Sequence, residues 1–113
     1  MAEEVQIGCY LRPHEGDMLD RYARELELSR PKLCALLILR SVRLDQLGSL
    51  NRDYARPEPK KKAIRITARV GKELKNRFTA AAARLGLGSD EAAAMVFRAE
   101  LEERWLEKMI ISR

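Results

Sequence analysis

The chain has 113 residues, of which 46% are apolar and 35% charged, and its net charge is +5. This length favours one compact domain spanning residues 1–113, and the low aromatic content of 5% suits a helical core of aliphatic residues and alanine. No stretch approaches the roughly 18–20 apolar residues of a membrane span, and the acidic start Met1-Ala2-Glu3-Glu4 is unlike a signal peptide, so we expect a soluble cytoplasmic protein without membrane contact.

Residues that usually carry chemistry are few. Cys9 and Cys34 stand in apolar runs without CxxC spacing, so we interpret them as buried thiols. The one histidine, His14, follows Pro13 and is expected at a surface helix start. No metal cluster, nucleophile–base pair or carboxylate pair stands out, and we therefore expect no metal, no other cofactor and no enzymatic activity.

Residues 4–47 are predicted to form a strand followed by two helices. Apolar residues alternate with others from Val5 to Leu11, the pattern of a half-buried strand. Pro13 can open a helix with one apolar face that runs to about Leu28. Ser29 can cap a second helix, which is apolar on nearly every side and is expected to be buried.

Residues 48–62 show no periodicity and contain Gly48, Pro57 and Pro59, so we predict a linker. Its roughly 15 residues could span about 50 Å when extended.

Residues 63–111 are predicted to repeat the order strand, helix, helix. The strand alternates from Ile64 to Val70, and the first helix runs from Lys72 to Leu85, with a left-handed glycine end at Gly86. Ser89 is expected to cap the last helix, which continues to about Ile110. This helix carries a second apolar stripe, which either packs in the core or contacts a protein partner or a second copy: Phe97, Leu101 and Trp105.

An internal repeat at an offset of 59 residues relates the two segments. It aligns Leu11 with Val70, Leu19 with Phe78, Ala23 with Ala82, Leu26 with Leu85, Leu28 with Leu87, and Leu37 with Val96. A lone strand has two unpaired edges, and two copies can solve this by pairing their strands antiparallel above four helices. The predicted buried face of this ribbon is Ile7, Cys9, Leu11, Ile66, Ala68 and Val70.

The sequence resembles the ribbon-helix-helix DNA-binding proteins. The resemblance is carried by the strand Ile7-Gly8-Cys9-Tyr10-Leu11-Arg12-Pro13 with Ala23-Arg24-Glu25-Leu26-Glu27-Leu28-Ser29, and by Ile64-Arg65-Ile66-Thr67-Ala68-Arg69-Val70 with Ala83-Arg84-Leu85-Gly86-Leu87. It implies a mainly α fold with a two-stranded antiparallel β-ribbon, in which two units fused in one chain form a pseudo-dimer. A pairing of strands between two chains remains open as a domain-swapped variant.

The resemblance also implies that the ribbon enters the major groove of double-stranded DNA, where outward side chains read bases. By position these residues are Gln6, Gly8, Tyr10, Arg65, Thr67 and Arg69. Gly8 departs from a typical base reader, and an ordinary solvated strand face is the alternative for Arg65, Thr67 and Arg69. Phosphate is expected at the start of the second helix of each unit, at Ser29, Arg30 and Lys32 and at Ser89, where Asp90 and Glu91 would repel it.

Eight basic residues and one acid lie within residues 60–77, and such a cluster attracts phosphate. We expect phosphate contacts from Lys60, Lys61, Lys62 and Lys72, with a solvated basic linker as the alternative. Tandem chains of this kind are similar in architecture to TraY-like accessory proteins of conjugative DNA transfer. The sequence leaves open a transcriptional repressor, a DNA-transfer or plasmid-maintenance accessory protein, and an antitoxin or protein-interaction module that uses the C-terminal helix.

Overall fold

The computed structural model describes residues 4–54 and 63–111. They form eight elements in the order β1 (Glu4–Leu11), α1 (Pro13–Glu25), α2 (Arg30–Arg43), α3 (Leu47–Tyr54), β2 (Ile64–Gly71), α4 (Lys72–Ala83), α5 (Ser89–Glu103) and α6 (Trp105–Ile111). The predicted coarse class, mainly helical with a two-stranded antiparallel sheet, is confirmed.

The two strands pair within the same chain. Gly8 lies opposite Thr67, with Ile7 opposite Ala68 on one side and Cys9 opposite Ile66 on the other. Because side chains alternate across a strand, this register turns one set of apolar residues toward the helices. The predicted buried face is confirmed, since all six members are buried: Ile7, Cys9, Leu11, Ile66, Ala68 and Val70.

The helices form the layer beneath the ribbon. α5 packs mainly on β1, and α2 packs mainly on β2, so each second helix covers the strand of the other half. Their buried residues meet those of α1 and α4 in one core that includes Leu19, Leu37, Phe78, Val96 and Phe97. α2 is less enclosed than its apolar sequence suggested, because Leu36 is 43% exposed.

Two helix starts follow the capping rules differently. Ser29 caps α2 as predicted, since its hydroxyl accepts the amide hydrogen of Lys32 at 3.3 Å. The prediction that Ser89 caps α5 is wrong, because Gly88 is the capping residue and Ser89 lies inside the helix. The carboxylate of Glu91 accepts the amide hydrogen of Gly88 at 3.0 Å, which satisfies this end without a serine cap.

A short helix occupies part of the predicted linker. Residues 48–62 were expected to lack regular structure, but α3 begins at Leu47 and extends to Tyr54. Leu47 and Leu50 are buried and Tyr54 is half-buried, a spacing of three and then four residues that gives α3 one apolar face. Gly48 does not interrupt the helix because it lies in the first turn. The rest of the linker, residues 55–62, lies outside the described residues.

Left-handed backbone conformations recur at the repeat offset. Glu27 has φ 60° and Gly86, 59 positions later, has φ 74°, which confirms the predicted left-handed end after α4. Asp45 has φ 50° and Arg104, again 59 positions later, has φ 53°. The turn at Arg104 ends α5, so the predicted continuous helix to Ile110 is instead α5 followed by α6.

The interpretation of both cysteines as buried thiols is confirmed, since Cys9 and Cys34 are fully buried and free. Burial, as the main cause, raises the pKa of each thiol to about 12. At pH 8 both residues therefore remain thiols, the unreactive form.

We therefore expect the native protein to react with iodoacetamide at pH 8 far more slowly than the urea-unfolded protein. Mass spectrometry after a timed exposure measures this difference. Equal labelling of the native and unfolded chains would contradict the burial of the thiols.

Candidate nucleic-acid interface

The outer face of the ribbon consists of three cross-strand pairs. Gln6 lies opposite Arg69, Gly8 opposite Thr67, and Tyr10 opposite Arg65. The four longer side chains of this set are exposed, whereas Gly8 and Thr67 in the middle are half-buried. All six residues predicted to read bases therefore share one face, with one arginine near each end of the ribbon. We call this set the ribbon face.

Gly8 has a local structural role. The guanidinium of Arg65 lies 5.9 Å from the ring centroid of Tyr10, and its Nη1 is 3.5 Å from the Tyr10 hydroxyl. A Cβ atom on residue 8 would lie only 2.5 Å from Nη2 of Arg65. The space above Gly8 is thus occupied by the Arg65 side chain. The hydroxyl contact is long, so Arg65 is weakly held and can turn toward a ligand.

A groove connects the ribbon face with the start of α2. Its lining includes Arg69 and Gly71 from β2, Ser29 and Lys32 from the start of α2, and Leu74 from α4, and its volume is about 650 Å³. We call it the α2 groove. The structure thus brings one predicted base-reading arginine and two predicted phosphate-binding residues to the same concave surface.

The backbone at the start of α2 has limited capacity for phosphate. The amide of Lys32 already donates to Ser29, and Pro31 has no N–H group. Arg30 forms an ion pair with Asp20 at 3.3 Å, with both side chains partly exposed. We expect the charged side chains of Arg30 and Lys32, more than the backbone, to attract phosphate here, because an exposed ion pair is weak and can exchange.

The other predicted phosphate residues are distributed unevenly. Lys72 is exposed at the first position of α4, directly after the ribbon. Ser89 is half-buried in the first turn of α5, next to the acids Asp90 and Glu91. Lys60, Lys61 and Lys62 lie outside the described residues. The two second helices therefore begin with opposite charge, basic in α2 and acidic in α5.

The apolar stripe of Phe97, Leu101 and Trp105, considered above as a partner surface, is only partly in the core. Phe97 is fully buried, so its side chain belongs to the core. Leu101 and Trp105 are half-buried, and Trp105 packs edge-on against Tyr54 at 6.2 Å between ring centroids. The guanidinium of Arg40 lies 5.5 Å from the Trp105 ring. These contacts hold Trp105, the first residue of α6, against α2 and α3.

A buried ionic network, absent from our sequence predictions, fixes α6. Glu100 is fully buried and accepts hydrogen bonds from Arg40 at 2.5 Å, from the Tyr22 hydroxyl at 2.5 Å and from the amide of Leu106 at 2.8 Å. The Tyr22 hydroxyl also accepts the amide hydrogen of Glu107 at 3.0 Å. Burial and then the hydrogen bond to Glu100 raise the pKa of Tyr22 above its usual range, so the phenol stays protonated and keeps donating.

The signal that could have revealed this network is the repeat itself. Glu100 lies 59 positions after Ser41, the other buried polar residue of the described core. Because an isolated buried charge is strongly unfavourable, a glutamate aligned with a buried position of the other unit needs a basic or hydrogen-bonding partner.

Comparisons of the chain with models of known protein families, with curated proteins and with solved structures gave no significant match. Within the two described ranges, no helix combines the length and apolar content needed to cross a bilayer. Residues 4–54 and 63–111 also contain no group of three metal-binding side chains arranged to hold an ion. The geometry of these residues and the internal repeat are therefore the basis for assigning a function.

Proposed function

We propose that the chain is a tandem ribbon-helix-helix protein, in which two units on one polypeptide form a pseudo-dimer that binds double-stranded DNA. The ribbon face enters the major groove and reads base edges, while basic residues around the α2 groove hold the phosphate backbone. The protein acts as a transcriptional regulator or as an accessory protein of DNA transfer or plasmid maintenance. These roles use the same kind of DNA contacts.

Several structural features recur 59 positions apart and support the tandem architecture. α1 and α4 begin 59 positions apart, as do α2 and α5, and the capping residues Ser29 and Gly88 share this spacing. The two pairs of left-handed residues follow the same rule. Gly8 and Thr67, also 59 positions apart, lie opposite each other at the centre of the ribbon, where a pseudo-two-fold axis would pass. An ancestral duplication explains all of these features together.

The observation that carries the proposed DNA binding is the continuity between the ribbon face and a basic concave surface. Arg69 belongs to both, because it extends from the ribbon face and lines the α2 groove with Ser29 and Lys32. A major groove about 12 Å wide admits a two-stranded ribbon, and arginine can donate two hydrogen bonds to guanine there. Lysine and arginine beside the ribbon would then face the phosphates that border the groove.

The proposed site is asymmetric. Arg65 and Arg69 both belong to β2, and their counterparts in β1 at the repeat offset are Gln6 and Tyr10. The basic start of α2 and the acidic start of α5 add a second difference between the two ends. A single chain should therefore prefer a DNA sequence without two-fold symmetry, unlike a dimer of identical units.

The test is the salt dependence of duplex binding. If about five cations contact phosphate, a plot of log affinity against log salt concentration should have a slope near −4 to −5, at about −0.9 per contact. Fluorescence anisotropy with a labelled duplex over a range of salt concentrations measures it. Salt-independent binding, or no binding at low salt, would contradict the proposed function.

The predicted phosphate contacts of Lys60, Lys61 and Lys62 are tested in the same assay. Replacing all three with glutamine should weaken binding to every duplex and bring the slope about two to three units closer to zero. An unchanged slope would assign these residues to a solvated linker.

A further inference from the structure

The α2 groove is amphipathic. Its lining includes the apolar residues Leu36, Leu39, Val70 and Leu74 together with the basic residues Lys32 and Arg69, and Arg69 also belongs to the ribbon face. Leu36 is 43% exposed, so its side chain offers apolar contact surface in the groove. Among the described residues of the lining, Glu4 is the one acid, and it is exposed. The groove thus combines apolar surface with an excess of positive charge.

The related surface at the other end of the ribbon carries different residues from the α2 groove. The residues at the repeat offset from Leu39 and Leu74 are Arg98 and Glu15, and these two form an ion pair at 3.0 Å in which each side chain is at least 85% buried. The counterpart of Lys32 is Glu91. The Glu15–Arg98 pair lines a smaller pocket of about 250 Å³, so the two related positions differ in volume and in the presence of a buried ion pair.

We propose that the α2 groove binds a small amphipathic carboxylate, with its apolar chain on Leu36, Leu39 and Leu74 and its carboxylate beside Lys32 and Arg69. The volume of about 650 Å³ is within the range of small-molecule sites, about 300–1,000 Å³. Charge complementarity selects an anion over a neutral or cationic amphiphile of the same length. As a consequence that rests on the proposed function, the carboxylate competes with DNA for the same two basic side chains.

The first test uses decanoate, at concentrations below micelle formation, and the DNA-free chain in isothermal titration calorimetry. We expect one decanoate per chain, with no comparable binding of decanol or decyltrimethylammonium. The variant Leu36→Gln should weaken decanoate binding by about tenfold, because it replaces apolar contact surface with an amide. The matched control is Leu44→Gln, which changes an exposed leucine that does not line the α2 groove and should leave the affinity unchanged.

A second variant introduces into the α2 groove the ion pair found at the related position. The double substitution Leu39→Arg with Leu74→Glu would place the Glu15–Arg98 type of ion pair in the α2 groove and should abolish decanoate binding. Thermal unfolding verifies that each variant is folded. If the double variant does not fold, the effect of Leu36→Gln on decanoate binding still tests the proposal. Equal weakening by Leu36→Gln and Leu44→Gln, or equal binding of all three amphiphiles, would overturn the proposal. Sedimentation showing a dimer that Leu36→Gln dissociates would also overturn it, because a second copy would then occupy the groove.

The DNA arm separates this inference from the proposed function. Decanoate should weaken duplex binding by the wild-type chain and have little effect on that of Leu36→Gln. If decanoate binds as described and the chain binds no duplex, the proposed function fails while the ligand site stands. If the duplex binds and calorimetry detects no decanoate, the ligand site is wrong while the proposed function stands.

Discussion

The variant Arg40→Met is expected to reduce the free energy of unfolding by about 3–5 kcal/mol, the largest effect of any single substitution considered for this chain. Arg40 donates to Glu100 at 2.5 Å, and its side chain is 13% exposed while that of Glu100 is fully buried. Methionine would keep much of the packing on Trp105 but leave the carboxylate without a cation. Two donors, the Tyr22 hydroxyl and the Leu106 amide, would remain on a charge that cannot reach water.

Urea unfolding followed by circular dichroism measures this loss. The matched control is Arg30→Met, which removes the same side chain from a partly exposed ion pair and should cost less than about 1 kcal/mol. The double variant Arg40→Met with Glu100→Gln should recover much of the stability, because it removes both charges together. If Arg40→Met costs no more than Arg30→Met, the network around Glu100 does not stabilise the fold as described.

The second large effect concerns DNA. Arg69→Ala should lower affinity for the preferred duplex by about ten- to a hundredfold, equivalent to roughly 1–3 kcal/mol, because it removes a base contact and a phosphate-facing charge. The side chain is exposed, so thermal stability should change little. Anisotropy titration with the preferred duplex and a scrambled duplex measures both components.

Arg77→Ala is the matched control for the loss of charge. Arg77 is exposed on α4 and pairs with Glu73 at 3.1 Å, in a cleft with Ser41 and Asp45 instead of the ribbon face. Its removal should reduce affinity by less than about threefold and equally for both duplexes. If Arg69→Ala and Arg77→Ala lower the affinity equally, Arg69 contributes only its positive charge and does not read a base.

The ribbon was predictable because its pattern has a period of two. A shift of one residue would turn Ile7, Cys9 and Leu11 to solvent, so apolar burial alone selects the face and the parity of the register. The repeat offset implies that two residues 59 positions apart face each other at the centre of the ribbon, but only the structure identifies them as Gly8 and Thr67. These same constraints fixed the membership of the ribbon face in advance.

Short helices and capping details were harder to predict. α3 and α6 are eight and seven residues long, too short for a strong periodic signal, and tertiary contacts of Leu50 and Trp105 stabilise them. The assignment of the α5 cap to Ser89 followed residue preference, whereas the repeat offset from Ser29 leads to Gly88. Capping therefore depended on the alignment of the two units more than on local composition.

Features that depend on long-range packing were not visible in the sequence. The position of Arg65 across Gly8 requires the ribbon register and a diagonal approach between strands. The α2 groove requires β2, α2 and α4 to meet beside Arg69, and the burial of Glu100 requires Arg40 and Tyr22 from distant segments. Each of these sites combines residues separated by 30 or more positions, which local patterns do not connect.

The most direct test of the account is selection of bound duplexes from a randomised pool by the wild-type chain, Arg69→Ala and Tyr10→Ala. Arg69 and Tyr10 lie toward opposite ends of the ribbon face and occupy equivalent positions at the repeat offset. We predict an asymmetric preferred sequence for the wild type, with each variant relaxing the preference in a different half of the site. If both variants fold and select the same sequence as the wild type, the ribbon face does not read DNA and the proposed function is wrong in mechanism.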